Sequence, residues 1–161
     1  MTQNENQKHW SLPSIEKAIA VFLDLDHFAQ VMKERGWTRY SPNIVTGTLT
    51  NEVETLARKY LGTIHWGLDY DEGTEEALIL MTHVDLEELI LDLELLREKI
   101  EKQAVTTISI GVGIGPEGKI PKELKSGKRE HSLLSSPAAL MAKRALKKAK
   151  KKSNCICIEF A

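Results

Sequence analysis

Apolar positions along the chain form first a continuous run and then helical stripes. Residues 17–25 carry the near-continuous apolar composition of a strand that is buried on both faces. Residues 27–35 and 46–60 place apolar side chains at every third or fourth position, which is typical of helices that cover a core. Gly36 ends the first of these helices. The pattern predicts one strand followed by two helices.

The middle of the chain has the composition of a β-hairpin. Residues 61–68 and 77–81 are rich in strand-forming side chains, and the turn-like residues 69–74 separate them. Residues 85–101 then carry a helical stripe of leucines and isoleucines. The sequence therefore predicts a hairpin followed by a helix, and the hairpin requires an antiparallel pair of strands.

The last part of the chain predicts a strand, a helix and a second strand. Residues 105–114 alternate like a strand and contain glycines, which indicates that another backbone packs closely there. Residues 115–137 are polar and predict an excursion or lid outside the core. A helix over 138–152 and a strand over 155–160 follow. The order β α α β β α β α β indicates an α+β fold, with a mixed, mainly antiparallel central sheet covered by helices.

Length and composition suit a single globular domain. Of the 161 residues, 42% are hydrophobic and 28% are charged, so we expect an N-terminal extension over 1–16 and one domain over 17–161. The formal net charge of −1 gives no electrostatic case for binding long nucleic acid. No apolar run approaches the roughly 20 residues of a membrane span. We therefore expect a soluble, cytoplasmic protein that does not contact membranes.

The first predicted strand ends in two carboxylates. Asp24 and Asp26 are two positions apart, and because side chains alternate on an extended backbone, both project from the same side. Charges at the end of a buried strand are costly unless they are neutralised, and a divalent cation with oxygen ligands would neutralise them. The alternative is that the two aspartates cap the following helix and lie in solvent. The strand end alone leaves both interpretations open.

Two further acids, Glu75 and Glu76, stand directly before the second hairpin strand. If the hairpin pairs with the first strand, its turn lies beside Asp24 and Asp26. Asp24 and Glu75 can then hold one or two Mg²⁺ ions, provided that substrate phosphates supply the other ligands. The alternative is that both glutamates are solvated turn residues.

The helix predicted over 138–152 supplies the opposite charge, because seven of its residues are lysine or arginine. One of these cations can hold a phosphate of a nucleotide. Seven cations cannot all face one ligand, so most of them are expected to be solvated, and those in the last turn also suit the negative end of the helix.

Four stretches carry motifs in a fixed order. Residues 22–28 read Phe-Leu-Asp-Leu-Asp-His-Phe, and residues 73–77 read Gly-Thr-Glu-Glu-Ala. Residues 107–112 read Thr-Ile-Ser-Ile-Gly-Val, and residues 142–150 are rich in alanine and lysine. Together they resemble the D-x-D-x-F strand end, the GGEEF hairpin, the T-x-S-I-G-V strand and the A-D-x-A-L-Y-x-A-K helix of the GGDEF family, which includes diguanylate cyclases. The resemblance spans about residues 18–160 and implies the nucleotidyl-cyclase, or ferredoxin-like palm, fold.

The resemblance and the strand-end argument together assign roles to individual residues. In such enzymes two metal ions promote the attack of a ribose 3′-hydroxyl on an α-phosphate, and pyrophosphate leaves. We therefore expect a purine nucleoside triphosphate such as GTP as ligand, Mg²⁺ or Mn²⁺ as cofactor, and a homodimer. The expected metal ligands are Asp24, the carbonyl of Leu25, Asp26 and Glu75; the expected catalytic acids are Glu75 and Glu76; and the expected phosphate contacts are His27, Phe28 and Lys150.

The chain also departs from the family pattern. Thr74 replaces the second glycine of the hairpin motif, where a side chain narrows the space for a ligand, and Ala77 replaces its phenylalanine. Ala29, Met32 and Lys33 stand where the family has a lysine, a guanine-reading asparagine and an aspartate. These departures weigh against diguanylate synthesis more than against the fold.

Two other relatives share this type of fold. Residues 46–50, Thr-Gly-Thr-Leu-Thr, faintly resemble a stretch of archaeal GTP cyclohydrolase III, whose chain holds two such modules, so that a single-module protein would need to dimerise. Palm domains of CRISPR-type polymerases usually pair their hairpin acids as Gly-Asp-Asp, unlike Glu75 and Glu76. Three hypotheses follow: a metal-dependent cyclase or cyclohydrolase-like enzyme, a degenerate module that binds nucleotide without turnover, and a structural or interaction domain.

Overall fold

A computed structural model describes residues 17–119 and 135–161 of the chain. Its elements are β1 (Lys17–Leu25), α1 (Phe28–Arg35), α2 (Ile44–Lys59), β2 (Thr63–Trp66), β3 (Glu76–Thr82), α3 (Leu86–Lys102), β4 (Ile108–Pro116), α4 (Pro137–Lys152) and β5 (Ile156–Phe160). The predicted order of elements is confirmed. The predicted extension over 1–16 and most of the predicted excursion over 115–137 lie outside the described residues. Within those residues, no helix combines the length and the apolar character that crossing a membrane requires.

The strands form one sheet in the order β2-β3-β1-β4-β5. Strand β1 is antiparallel to both of its neighbours, β3 and β4, and β2 is antiparallel to β3. Only the pairing of β4 with β5 is parallel, among the pairings described. The prediction of a mixed, mainly antiparallel sheet is therefore confirmed. The central position of β1 explains its continuous apolar run, because both of its edges and both of its faces are covered.

Helices cover the two faces of the sheet unequally. Helices α1, α2 and α3 lie on one face, against large aliphatic side chains such as Val21, Ile79 and Ile110. Helix α4 lies alone on the other face among the described elements, where the buried cluster combines small side chains such as Ala18 and Ala20 with larger ones such as Phe22 and Leu78. Because side chains alternate along β1, the aspartates at positions 24 and 26 belong to the face covered by α4.

Two glycines of β4 allow α4 to approach the sheet at backbone distance. A Cβ atom added to Gly111 would lie 2.2 Å from the carbonyl oxygen of Ala142, and one added to Gly113 would lie 2.1 Å from that of Ala138. Both separations are far below van der Waals contact, so any side chain at either position would push the helix away. This close approach brings the C-terminal half of α4 to the end of β1.

Some element boundaries differ from the prediction for local reasons. Helix α2 begins at Ile44, two residues before the predicted start, because Asn43 and Thr46 form a capping box. Strand β2 is shorter than the predicted 61–68. It ends before Gly67, which has a φ of 100° and lies so close to the backbone of β3 that an added Cβ would overlap it.

Candidate functional site

Asp26 is a buried carboxylate whose oxygens are fully engaged. Its side chain is 2% exposed. Its oxygens accept hydrogen bonds from the hydroxyls of Thr107 at 2.6 Å and Ser109 at 2.7 Å, and from the backbone N–H of Asn154 at 2.9 Å. Lys150 Nζ lies 3.3 Å from Oδ1. Burial acts to raise the pKa of Asp26, but these donors and the lysine charge outweigh it, so that the pKa is lowered.

Asp24 has a different environment, although it lies two residues earlier on the same side of β1. Its side chain is 33% exposed, and its Oδ2 lies 3.1 Å from Lys150 Nζ. Glu76 is its direct partner across the β1–β3 register. Burial raises the pKa of Asp24, the charges of Glu76 and Asp26 act in the same direction, and Lys150 opposes them without cancelling them. Asp24 is thus a carboxylate whose negative charge is incompletely compensated.

Lys150 connects the two aspartates. Its Nζ lies 2.9 Å from the carbonyl oxygen of Leu25 and 3.4 Å from that of Asp24, in addition to the two carboxylate contacts. The ammonium therefore contacts oxygens of three consecutive residues at the end of β1: Asp24, Leu25 and Asp26. Lys150 thus lies beside the strand-end acids, and the sequence-based expectation that it contacts phosphate stays a prediction.

The hairpin lies beside β1, since its strand β3 pairs with β1. At the end of this pairing, the backbone N–H of Leu25 donates to the carbonyl oxygen of Glu75 at 3.0 Å. Glu75 is exposed, whereas Glu76 is the residue opposite Asp24. Both glutamates line a cavity of about 360 Å³, together with Arg39 and others. The register thus favours Glu76 over Glu75 as the acid nearest Asp24, and the assignment of Glu75 as a metal ligand stays a prediction.

The side chain of Thr74, which was expected to narrow the space for a ligand, packs instead against α2. Its side chain is buried, its hydroxyl lies 2.8 Å from that of Thr50 in α2, and it accepts from the backbone N–H of Asp69 at 3.3 Å. The adjacent Gly73 has a φ of 91°, and a Cβ there would lie 2.2 Å from Oγ1 of Thr46. The turn is therefore docked on α2, and the Thr74 side chain belongs to that contact.

The residues expected to cradle a phosphate lie at the start of α1. His27 is the N-cap residue, adopts a left-handed conformation with a φ of 49°, and makes no side-chain cap. Its side chain is exposed, while that of Phe28 is buried. The first backbone N–H groups of α1 therefore donate no hydrogen bond to the side chain of His27. Their role in phosphate binding stays a prediction.

Three donors to Asp26 were not identified as site residues from the sequence. Thr107 lies just before β4 and Ser109 lies in it, and these two alternating polar positions beside an apolar run are the signal that would have indicated a buried acceptor. The N–H of Asn154 had no such signal. It is aimed at Asp26 because Ser153 and Asn154, just after α4, both have positive φ values, of 60° and 52°.

The donor set fits a hard divalent cation only in part. Asp24, Glu76 and the carbonyl of Leu25 offer the oxygen ligands that Mg²⁺ prefers. No group of three or more histidine, cysteine, aspartate or glutamate side chains is placed to hold a metal ion in residues 17–119 and 135–161. Mg²⁺ commonly uses one or two carboxylates together with substrate phosphates and water. The residues present therefore fit Mg²⁺ as part of a complex with a phosphate ligand, rather than as a closed metal centre.

Comparison with known proteins gives structural matches without sequence matches. No protein-family model matches the chain, and no curated protein matches it at a significant level. The GGDEF domain of FimX from Pseudomonas aeruginosa is 13% identical, with a TM-score of 0.54, and the match covers 91% of this chain and 83% of that one. The GGDEF domain of DgcB from Caulobacter crescentus, in complex with c-di-GMP, is 16% identical, with a TM-score of 0.55 and coverages of 89% and 76%.

A third match is a diguanylate cyclase. SiaD from Pseudomonas aeruginosa, in complex with its activator SiaC, is 21% identical, with a TM-score of 0.55, and the match covers 91% of this chain but 50% of SiaD. Structural matches at this low identity establish the fold and not the activity. The chain has the fold of GGDEF domains, with a five-stranded sheet in the order β2-β3-β1-β4-β5.

Proposed function

We propose that this chain is a metal-dependent enzyme of the nucleotidyl-cyclase type that binds a purine nucleoside triphosphate. One observation chiefly supports the proposal. Asp24 and Glu76 are direct partners across two neighbouring strands, and the carboxylate of Asp24 lies 3.1 Å from the ammonium of Lys150. Paired carboxylates suit a bound cation and an ammonium suits anionic oxygens, and a metal–triphosphate complex presents both.

The carboxylates of Asp24 and Glu76, with the carbonyl of Leu25, are the proposed ligands for Mg²⁺ or Mn²⁺. A divalent ion bound there would neutralise charge on the phosphates as the reaction proceeds. We assign Asp26 a positioning role instead, because its carboxylate already accepts three hydrogen bonds and contacts Lys150. It fixes the end of β1 and, with it, the direction of the Asp24 side chain.

The phosphates are proposed to bind to Lys150 and to the backbone amides at His27 and Phe28, where the start of α1 favours negative charge. Glu75 remains available as a proton acceptor because it is exposed at the cavity beside the site. The proposed reaction is the attack of a ribose hydroxyl on an α-phosphate with release of pyrophosphate. If two nucleotides are joined, a second copy of the chain must bring the second one, so the active species is proposed to be a homodimer.

The test is incubation of the protein with ATP, GTP, CTP and UTP, each with Mg²⁺ and with Mn²⁺, followed by chromatography and mass spectrometry of the products. We expect a product from a purine nucleotide, and we expect Asp24→Asn and Glu76→Gln each to lower its rate by at least about 100-fold, as losses of catalytic electrostatics do. The matched control is Glu98→Gln, an exposed acid on α3 away from the site, which should retain the wild-type rate.

The mass of the product separates the candidate activities. Linked or cyclic nucleotides identify a cyclase, and a formamidopyrimidine identifies a reaction like that of GTP cyclohydrolase III. A nucleotide that stabilises the protein against heat without any product would instead support the degenerate binding module. A product that persists in both Asp24→Asn and Glu76→Gln would overturn the assignment of the site.

A further inference from the structure

We propose that the ammonium of Lys150 is a tethered cation that competes with divalent metal for the oxygens at the end of β1. In the absence of nucleotide it keeps metal out of the site, and its removal would create a metal-binding site. The inference deepens the proposed function and rests on it for biological meaning, although the competition itself requires no nucleotide.

The contacts of Lys150 carry the inference. Its Nζ lies between 2.9 and 3.4 Å from four oxygens: the carbonyls of Leu25 and Asp24, Oδ2 of Asp24 and Oδ1 of Asp26. An ammonium has only three protons, so its hydrogen-bonding capacity is exhausted by this shell. The shell consists entirely of oxygens and includes two carboxylates, which are also the ligands that a hard divalent cation prefers.

The ammonium and a metal ion cannot share these oxygens. Mg²⁺ binds its ligands at about 2.0–2.1 Å, so an ion bound to the carbonyl oxygen of Leu25, which lies 2.9 Å from Nζ, would be within about 5 Å of the ammonium. Even if Lys150 moved by a few ångströms, the two positive charges would repel strongly in a partly buried site. Metal binding at Asp24 therefore requires Lys150 to leave.

The position of Lys150 is fixed by the packing of α4 against the sheet. Helix α4 is held at backbone distance from β4 by Gly111 and Gly113, and Lys150 itself is only 30% exposed. The neighbouring Lys151 is on the same helix but is exposed. The charge of Lys150 also compensates Asp26, the buried carboxylate of the site, so the cation has a structural reason to be there.

A triphosphate would change the balance. Its oxygens give the ammonium an alternative anionic partner, and they bring additional ligands for a metal ion. Lys150 would then transfer from Asp24 to the phosphates while the metal binds the vacated carboxylate. The protein would thus bind metal and nucleotide together and bind either one weakly alone, which is positive coupling between the two ligands.

The experiment is a titration with Mn²⁺ in the absence of nucleotide, with free Mn²⁺ measured by electron paramagnetic resonance. The variants are Lys150→Met, the control Lys151→Met, and the double variant Lys150→Met/Asp24→Asn. We expect Lys150→Met to bind Mn²⁺ at least about tenfold more tightly than the wild type, because a competing positive charge has been removed. Lys151→Met should match the wild type, and the double variant should lose the gain.

Equal Mn²⁺ affinity of the wild type and Lys150→Met would overturn the inference, whether that affinity is high or low. If Lys150→Met fails to fold, Lys150→Gln keeps a donor to Leu25 without the charge and is expected to show the same gain. The result is independent of turnover. A gain in Mn²⁺ affinity with no nucleotide product would refute the proposed enzyme but not the competition, whereas a product with no gain would refute only the competition.

Discussion

The two faces of the central sheet are packed in opposite ways. Between the sheet and helices α1–α3, the core consists of large aliphatic side chains, and Leu93 and Leu49 are completely buried there. On the face covered by α4, the buried cluster combines alanines with larger side chains such as Phe22 and Leu78, and at Gly111 and Gly113 the helix backbone directly contacts β4. The first face provides most of the buried apolar volume, whereas the second provides a short, fixed distance.

The difference indicates why the candidate chemistry lies on the face of α4. A lysine near the end of a helix can reach the oxygens of the adjacent strand only if the helix is close to it. The short separation allows Lys150 to contact Asp24 and Asp26, while a layer of leucines would have kept the ammonium several ångströms away. One face is thus mainly responsible for stability and the other for geometry, and this division makes predictions.

The largest expected effect on stability is that of removing a large side chain from the face covered by α1–α3. Leu93→Ala should lower the free energy of unfolding by about 2–5 kcal/mol, because it removes buried methyl groups and leaves a cavity. Urea unfolding followed by circular dichroism measures it. Mn²⁺ affinity of the folded fraction should stay unchanged, and a change in that affinity without loss of stability would contradict the division between the faces.

The face covered by α4 should show the opposite sensitivity, because adding a single carbon there is expected to lower stability. Gly111→Ala is expected to cost about 1–3 kcal/mol through overpacking, since its Cβ would overlap the backbone of α4. The matched control is Gly47→Ala in α2, where nothing lies within 4 Å of the added atom. That variant should gain about 0.5–1 kcal/mol from helix propensity. Similar melting temperatures for the two variants would contradict the packing described.

The two aspartates of the site should differ in their contribution to stability. Asp26→Asn is expected to cost about 1–3 kcal/mol, because an amide cannot accept from all the donors that surround the buried carboxylate. Asp24→Asn should leave stability unchanged or raise it, since burial already disfavours the charged form of that side chain. Chemical unfolding of both variants at neutral pH measures the difference, and equal losses of stability would contradict the distinct environments of the two carboxylates.

The smallest expected effect is in the pH dependence of stability. The pKa of Asp26 is lowered on folding, so its stabilisation is present above its ordinary value of 3.8 and is lost as pH falls through the lowered pKa. The pKa of Asp24 is raised, so ionisation of this group destabilises the fold as pH rises from 3.8 through the raised value. Relative to the wild type, unfolding free energies from about pH 2 to pH 7 should rise more with pH in Asp24→Asn and less in Asp26→Asn. Parallel curves for all three proteins would contradict this.

The sequence was sufficient for the order of elements and for the location of the acidic strand end. Its helical stripes and apolar runs are strong, and the alternation of a strand places Asp24 and Asp26 on one side irrespective of tertiary detail. The resemblance added Lys150, which periodicity alone could not distinguish among seven basic residues of the same helix.

The sequence was insufficient where long-range register or an unusual backbone decides the contact. Glu76 faces Asp24 because of the pairing of β3 with β1, and neither the turn length nor the run of acids determines that register. Thr74 appeared to narrow a ligand space, but the docking of the turn on α2 buries its hydroxyl against Thr50. The donor from Asn154 depends on two successive positive φ values, for which neither serine nor asparagine is diagnostic.

The backbone contact of α4 with Gly111 and Gly113 also has a consequence for kinetics. Because the helix cannot slide without breaking that contact, Lys150 can leave Asp24 only by rotation about its own side-chain bonds. Rotations of exposed side chains take picoseconds to nanoseconds, and although its oxygen contacts slow Lys150, its release avoids the microsecond-to-millisecond movement of a whole element. Typical enzymes turn over about 1–1,000 times per second. If the proposed function holds, the transfer of the ammonium from carboxylate to phosphate needs no movement of α4, so we expect the slow step in chemistry, assembly or product release.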